Sequence, residues 1–203
     1  MGFADSGTIP FQPAQVSFEL PDWVEDYCRA YSRSEVVDAR MAYVIGAAAQ
    51  NIENGTGGPF AAAVFEIETG ALVSLGVNLV MPQGLSMLHA EMVAISLAQR
   101  KLGVHDLSSE GLPAYELVTS TEPCAMCFGA IPWSGVRRVV TGAVSQDARD
   151  IGFDEGDKPA NWVESLQRRG IGVLREQQRG AAKAILDAYL QANGAVYSPD
   201  KSS

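Results

Sequence analysis

The sequence predicts an α/β protein of three layers, with a five-stranded mixed sheet held between helices. Three observations carry this expectation. Two strand-like runs, 60–67 and 72–80, are separated by the short turn Glu68-Thr69-Gly70, so the sheet opens with an antiparallel hairpin. Further strand-like runs at 114–120, 136–141 and 171–176 then alternate with helical stretches, as strands joined by crossovers do. The 203 residues, 47% hydrophobic and 19% charged, suit one globular domain large enough to fold without disulfide staples.

Each element has its own local reason. Residues 1–31 hold Pro10, Pro13, Pro21 and scattered aromatics, and read as an irregular arm laid on the surface. Ser32-Arg33-Ser34-Glu35 offers a capping box for a helix with the apolar stripe Val37, Met41, Val44, Ile45, Ala48 and Ile52. The run Asn54-Gly55-Thr56-Gly57-Gly58-Pro59 ends that helix, and the hairpin follows. Residues 88–102 form the next helix: Leu88, Met92, Ile95 and Leu102 recur at helical intervals, and Arg100 and Lys101 sit near the end that favours cations. After the strand at 114–120, Pro123 suits the entry to another helix, which Pro132 is expected to stop early. The last helix, 180–192, lines up Ala182, Ile185, Leu186, Tyr189 and Leu190 on one face and stops at Asn193-Gly194. The organisation is thus an arm (1–31), a domain (32–194) and a tail (195–203).

The formal charge is −9 at pH 7, with the acidic excess in residues 1–160 and a slightly basic 161–203. Nucleic-acid affinity rests on Lys and Arg contacts to phosphate, so this field disfavours a polyanionic partner and leaves a small neutral substrate acceptable. Three cysteines make no disulfide framework, and the N-terminus lacks the basic and apolar regions of a secretory signal. No stretch is long enough to cross a bilayer. The expectation is a cytoplasmic protein without a membrane partner.

The chemistry sits in His89-Ala90-Glu91 and, well downstream, Pro123-Cys124-Ala125-Met126-Cys127. One His and two Cys supply three ligands for Zn²⁺ and leave the fourth tetrahedral position to water, as catalytic zinc sites do. Glu91 is then the proton carrier, and hydrolytic deamination needs both parts. Residues two apart share no helix face, so His89 and Glu91, in the first turn of their helix, converge on an ion only if it lies off the helix end. Cys124 and Cys127 sit one turn apart at the start of the second helix, where the dipole favours thiolates. A lone C-x-x-C also fits a redox pair or a structural zinc site, but a closed site would have to recruit Cys28 or His105, the other soft ligands in the chain.

The pairing of these motifs is the signature of zinc nucleobase deaminases. From about Met41 to at least Asp157 the chain resembles the cytidine-deaminase-like superfamily, an α/β/α sandwich, and within it the bacterial guanine deaminases. The further residues that carry the resemblance are Gly58-Pro59-Phe60-Ala61-Ala62-Ala63-Val64, Gly76-Val77-Asn78, Trp133 and Ile151-Gly152-Phe153-Asp154-Glu155. The resemblance implies that His89, Cys124 and Cys127 hold one Zn²⁺ with its water, and that Glu91 passes a proton from water to a ring nitrogen of guanine. Glu155 would protonate the departing amine, giving xanthine and ammonia, and the aminotriazine ammeline is a possible second substrate. Asn78, Asp154 and the Ala90 N–H would bind the base, Phe60 and Trp133 would line or stack on it, and Tyr197 would cap the pocket. From composition alone, Phe60 and Trp133 equally suit core packing, Asn78 a strand end, and Glu155 a solvated acidic loop. The resemblance also implies a homodimer, in which compact members exchange C-termini. Competing readings are a tRNA adenosine deaminase using Arg168, Arg169, Arg175, Arg179 and Lys183, a cytosine or nucleoside deaminase, and a zinc-stabilised scaffold without catalysis.

Overall fold

A five-stranded sheet in the order β2-β1-β3-β4-β5 forms the middle layer of the computed structural model, which describes residue 13 and residues 15–197. Its strands are β1 (Ala61–Glu66), β2 (Leu72–Val77), β3 (Tyr115–Thr121), β4 (Arg138–Ala143) and β5 (Gly172–Leu174). β1 runs antiparallel to both β2 and β3, whereas β3, β4 and β5 are parallel. The sheet is therefore mixed, as the hairpin-then-crossover pattern requires.

Alternation along β1 shows why both faces are covered. Ala61, Ala63 and Phe65 join one apolar cluster with Met41, Val44 and Ala48 of helix α2 (Val37–Glu53) and Ala182 and Leu186 of α8 (Arg179–Gln191). Ala62 and Val64 join the opposite cluster with Ala94, Ile95 and Ala98 of α4 (Ala90–Leu102), Ile131 of α5 (Ala125–Ser134) and Leu166 of α7 (Trp162–Gln167). Each fully buried Val, Leu or Phe side chain contributes about 1.5–3 kcal/mol, so two such layers hold the sheet firmly. Gly76 of β2 sets how closely α4 approaches: a Cβ there would lie 2.3 Å from the Ala90 carbonyl oxygen and 2.5 Å from the Ala94 nitrogen. Across the sheet's other face, Glu116 of β3 is buried between Arg40 of α2 and Arg138 of β4, each 2.6 Å away.

Several expectations are corrected. Residues 15–31 are not irregular throughout, because α1 (Trp23–Arg29) forms in a stretch free of Gly and Pro and packs Val24 into the core. Residues 1–12 and 14, and 198–203 of the tail, lie outside the described residues. The capping box at 32–35 does not form. The Ser34 carbonyl is taken by Arg40 Nη1 at 2.8 Å, Ser34 Oγ accepts from Val36 N at 3.2 Å, and Val36 becomes the N-cap of α2. Pro132 does not stop α5, which runs on to Ser134 and ends at Gly135 in the left-handed conformation. In the last turn a proline removes one i→i−4 bond, and the buried Ile131 and Ser134 on either side keep the turn in place. Three short helices went unforeseen: α3 (Val80–Gln83), α6 (Ser145–Asp150) and α7. α8 packs against α2 and β4 of its own chain. Among the described residues no helix is long and apolar enough to cross a membrane.

Candidate metal centre

Two helix N-termini meet beyond the ends of β1 and β3. His89 is the N-cap residue of α4 (φ −67°, ψ 154°) and Cys124 that of α5 (φ −66°, ψ 176°), and neither side chain makes the capping hydrogen bond open to it. They face each other instead, with Cys124 Sγ 3.4 Å from His89 Nδ1. Cys127, one turn into α5, completes a set whose three donor atoms all lie within 4.8 Å of one another. Tetrahedral Zn²⁺ with N and S ligands at ordinary lengths needs N–S separations of about 3.5 Å and S–S of about 3.8 Å, so these residues fit the ion. The ion site lies off both helix ends, and His89 sits one residue before its helix. Neither alternative fourth ligand joins this set: Cys28 Sγ accepts from the Tyr43 hydroxyl at 3.6 Å, and His105 is not among the donor groups gathered with His89, Cys124 and Cys127. A closed four-ligand site is therefore not built among the described residues.

Glu91, the second residue of α4, is buried with Oε2 3.4 Å from Cys127 Sγ. Burial raises its proton affinity, and the negative charge of Cys124 adds to that. Cys124 is the more acidic sulfur, pulled down to about 4 by the hydrogen bond from Cys127 against the effect of burial, with His89 assisting. The same bond and burial push Cys127 well above the usual thiol range. For His89, burial acts to lower the imidazole, but the hydrogen bond and charge of Cys124 outweigh it and the net shift is upward. Binding a metal ion removes the remaining thiol proton, since the thiolate is the ligand.

A cavity of about 820 Å³ opens in front of His89, Glu91 and Cys124, and Phe60, Asn78, Ala90, Asp154, Glu155 and Tyr197 all line it. Sites of this size accept small organic ligands. Asn78 follows β2; its N–H donates to the Phe60 carbonyl at 3.0 Å. Ala90 is fully buried, and its N–H, the first of α4, has no acceptor within the helix. The Glu155 carbonyl holds the N–H of Ala125 at 2.8 Å, so the loop carrying Glu155 is pinned to the start of α5. Its carboxyl is 5% exposed with Oε2 unpartnered, and burial first, then the Cys124 charge, pushes it up to about 7. Asp154 is exposed, with Oδ1 accepting from Gly156 N at 2.7 Å. Phe60 meets Phe153 edge to face at 4.8 Å, and Phe153 stacks on Tyr189 at 6.1 Å, an aromatic wall of which the sequence singled out Phe60. Trp133 is the exception to this convergence. It is 84% exposed and outside the cavity, because six residues after Cys127 is about 240° round the helix, on the face away from the metal.

The sequence reading missed Glu122, a buried acid in the cavity wall. Its Oε2 accepts from Ser145 N and Oγ, both at 3.1 Å, and Oε1 accepts from Arg175 Nε at 2.7 Å. Lys158 donates to the Pro123 carbonyl at 2.8 Å and to Ser145 Oγ at 2.6 Å, so one ammonium ties the residue before Cys124 to the segment after Glu155. These partners are scattered from 122 to 175 and leave no local motif. Three of the five basic residues offered for RNA are paired to acids: Arg175 to Glu122, Arg179 to Asp147 and Glu176, and Lys183 to Asp187.

Comparison with known proteins agrees with this geometry. The family model described as the cytidine and deoxycytidylate deaminase zinc-binding region matches residues 35–143. A solved guanine deaminase from Nitrosomonas europaea is similar at 47% identity and a TM-score of 0.85, covering 89% of this chain and 98% of that one. A mutant protein solved in complex with 8-azaguanine is similar at 48% identity and a TM-score of 0.84, covering 88% and 98% of the two chains. The guanine deaminase of Bacillus subtilis is 37% identical over 119 residues, which are 56% of this chain and 72% of that protein.

Proposed function

Because the chain belongs to the family defined by the cytidine and deoxycytidylate deaminase zinc-binding region, we propose that it hydrolyses guanine to xanthine and ammonia. The observation that carries this reading is the meeting of His89, Cys124 and Cys127 beside a buried Glu91, in the wall of a cavity large enough for a nucleobase. Near-complete coverage of a guanine deaminase at 47% identity supports guanine as the base.

Bound at those three side chains, Zn²⁺ lowers the pKa of a water molecule towards neutrality and so supplies a nucleophile. Glu91, whose burial favours the protonated form, accepts the water proton and returns it at a ring nitrogen of the base. Glu155, buried and unpartnered at Oε2, delivers a proton to the amine as its bond to the ring carbon breaks. Asn78 and the Ala90 N–H take the polar edge of the base, Asp154 lies beside it, Phe60 lines its flat face, and Tyr197 caps the pocket. The reading includes a role in purine breakdown, a cytoplasmic location and a homodimer. Cysteines outside any disulfide suit a reducing compartment, and the exposed Trp133 of α5 suits a second copy.

Ammonia release from guanine, guanosine, cytosine, adenine and ammeline, run in parallel on zinc-replete protein, tests the assignment. Guanine is expected to be deaminated most efficiently, with ammeline as a slower second substrate. Activity on cytosine or nucleosides with none on guanine overturns it.

A further inference from the structure

A chain of hydrogen bonds runs from the N-terminal arm to the substrate cavity. Trp23 Nε1 donates to Thr56 Oγ1 at 3.0 Å, and the Thr56 hydroxyl donates to Asn51 Oδ1 at 2.8 Å. Asn51 Nδ2 then donates to two carbonyls, those of Gly58 at 2.9 Å and Asn78 at 3.1 Å. The direction of the chain follows from its donors. An indole N–H can only donate, so the Thr56 oxygen is its acceptor. The single hydroxyl hydrogen goes to the nearer Asn51 Oδ1, at 2.8 Å, rather than to the Asn51 carbonyl at 3.2 Å, which already accepts from Thr56 N at 2.9 Å. The Asn51 amide therefore has its oxygen engaged and both hydrogens turned towards carbonyls. Asn51 is fully buried, so the flipped amide would set its oxygen against two other oxygens with no water to relieve them.

The fit around this amide is tight. A Cβ on Gly57 would lie 1.9 Å from the Asn78 carbonyl oxygen and 2.6 Å from Asn51 Nδ2, and one on Gly58 would lie 3.3 Å from Asn78 Oδ1. Asn78 is thus held by its N–H on Phe60, by its carbonyl against Asn51 and Gly57, and by Gly58 against its side chain. Its side-chain amide enters the cavity from a clamped backbone.

We propose that Asn51 is a positioning residue for the base, acting through Asn78, and that Trp23 and Thr56 fix its amide so that the N-terminal arm sets substrate affinity. The proposal rests on Asn78 being a ligand of the base, as above. One neutral hydrogen bond is worth about 0.5–1.5 kcal/mol, or roughly two- to twelvefold in affinity.

The test uses the zinc-loaded full chain, with guanine KM and kcat measured for Thr56→Val, Thr56→Ser, Trp23→Phe and Asn78→Ala, and for the first and third in the Asn78→Ala background. Thr56→Val is expected to raise KM about three- to tenfold with kcat changed less than about twofold. Thr56→Ser, which keeps the hydroxyl, should restore it. Trp23→Phe removes the donor but keeps a ring against Tyr27, and should shift KM in the same direction by less. On top of Asn78→Ala neither change should add anything. Unchanged KM in Thr56→Val and Trp23→Phe, or effects undiminished in the Asn78→Ala background, overturns the positioning role while sparing Asn78 as a ligand. An Asn78→Ala enzyme with parental KM and kcat removes Asn78 from the site and the proposal with it.

Discussion

His89 and Cys124 occupy equivalent places in two different helices: each is an N-cap with extended backbone, and their Nδ1 and Sγ atoms lie 3.4 Å apart. The equivalence explains the spacing of both motifs. From an N-cap, the third helical position brings Cys127 back to the same point in space, whereas the second position holds Glu91 beside the ligands without making it one. The N-termini of both helices add positive potential where thiolates have to be held.

Zinc content should follow these ligands without the fold depending on them. Cys124→Ser or Cys127→Ser is expected to cut bound zinc from one per chain to a small fraction by elemental analysis. Cooperative thermal unfolding should persist, because the two apolar clusters flanking the sheet are built from other residues. Loss of the folded state on chelation would mean that the metal is structural.

Glu155 should matter for turnover more than for binding. Glu155→Gln keeps shape and polarity but cannot deliver a proton, and positioned acids contribute about 10²- to 10⁴-fold. Steady-state kinetics are expected to show kcat down by about 10²-fold or more, with KM changed little and zinc retained. A parental kcat would remove Glu155 from the chemistry.

The Asp147–Arg179 pair should make stability fall in acid. The Arg179 guanidinium, at 2.9 Å from Asp147 Oδ2, holds the carboxyl below the usual carboxylate range, and the Val144 N–H adds to this. A depressed folded value contributes stability that is present above the unfolded value, about 3.9, and is lost as pH falls through the folded value. Arg179→Gln is therefore expected to lower Tm at pH 7, with the gap to the parent narrowing below about pH 4. A gap that stayed constant from pH 7 to pH 2.5 would contradict it.

The metal ligands and Glu91 were legible because each motif is contiguous and helix geometry does the rest. The sheet was legible from the hairpin turn at 68–70 and the strand-helix alternation that follows. Trp133 had only the resemblance behind it; lying six residues after Cys127 on a helix that continues through Pro132, it falls on the far face of α5 and outside the cavity. α1 was hidden by the prolines around it, although 22–30 contain none. Glu122, Lys158 and Arg175 could not be found, since their partners lie 13 to 53 residues away. Asn51 did leave a signal. It falls seven residues after Val44 on the buried face of α2, where a polar side chain has to have partners.

The most direct test is ammonia release from guanine by Glu91→Gln protein whose zinc has been quantified. The expected result is one zinc per chain and turnover reduced by about 10²- to 10⁴-fold, the range a positioned acid–base contributes. Full turnover with zinc in place would contradict the central claim that Glu91 carries the proton for the reaction at His89, Cys124 and Cys127.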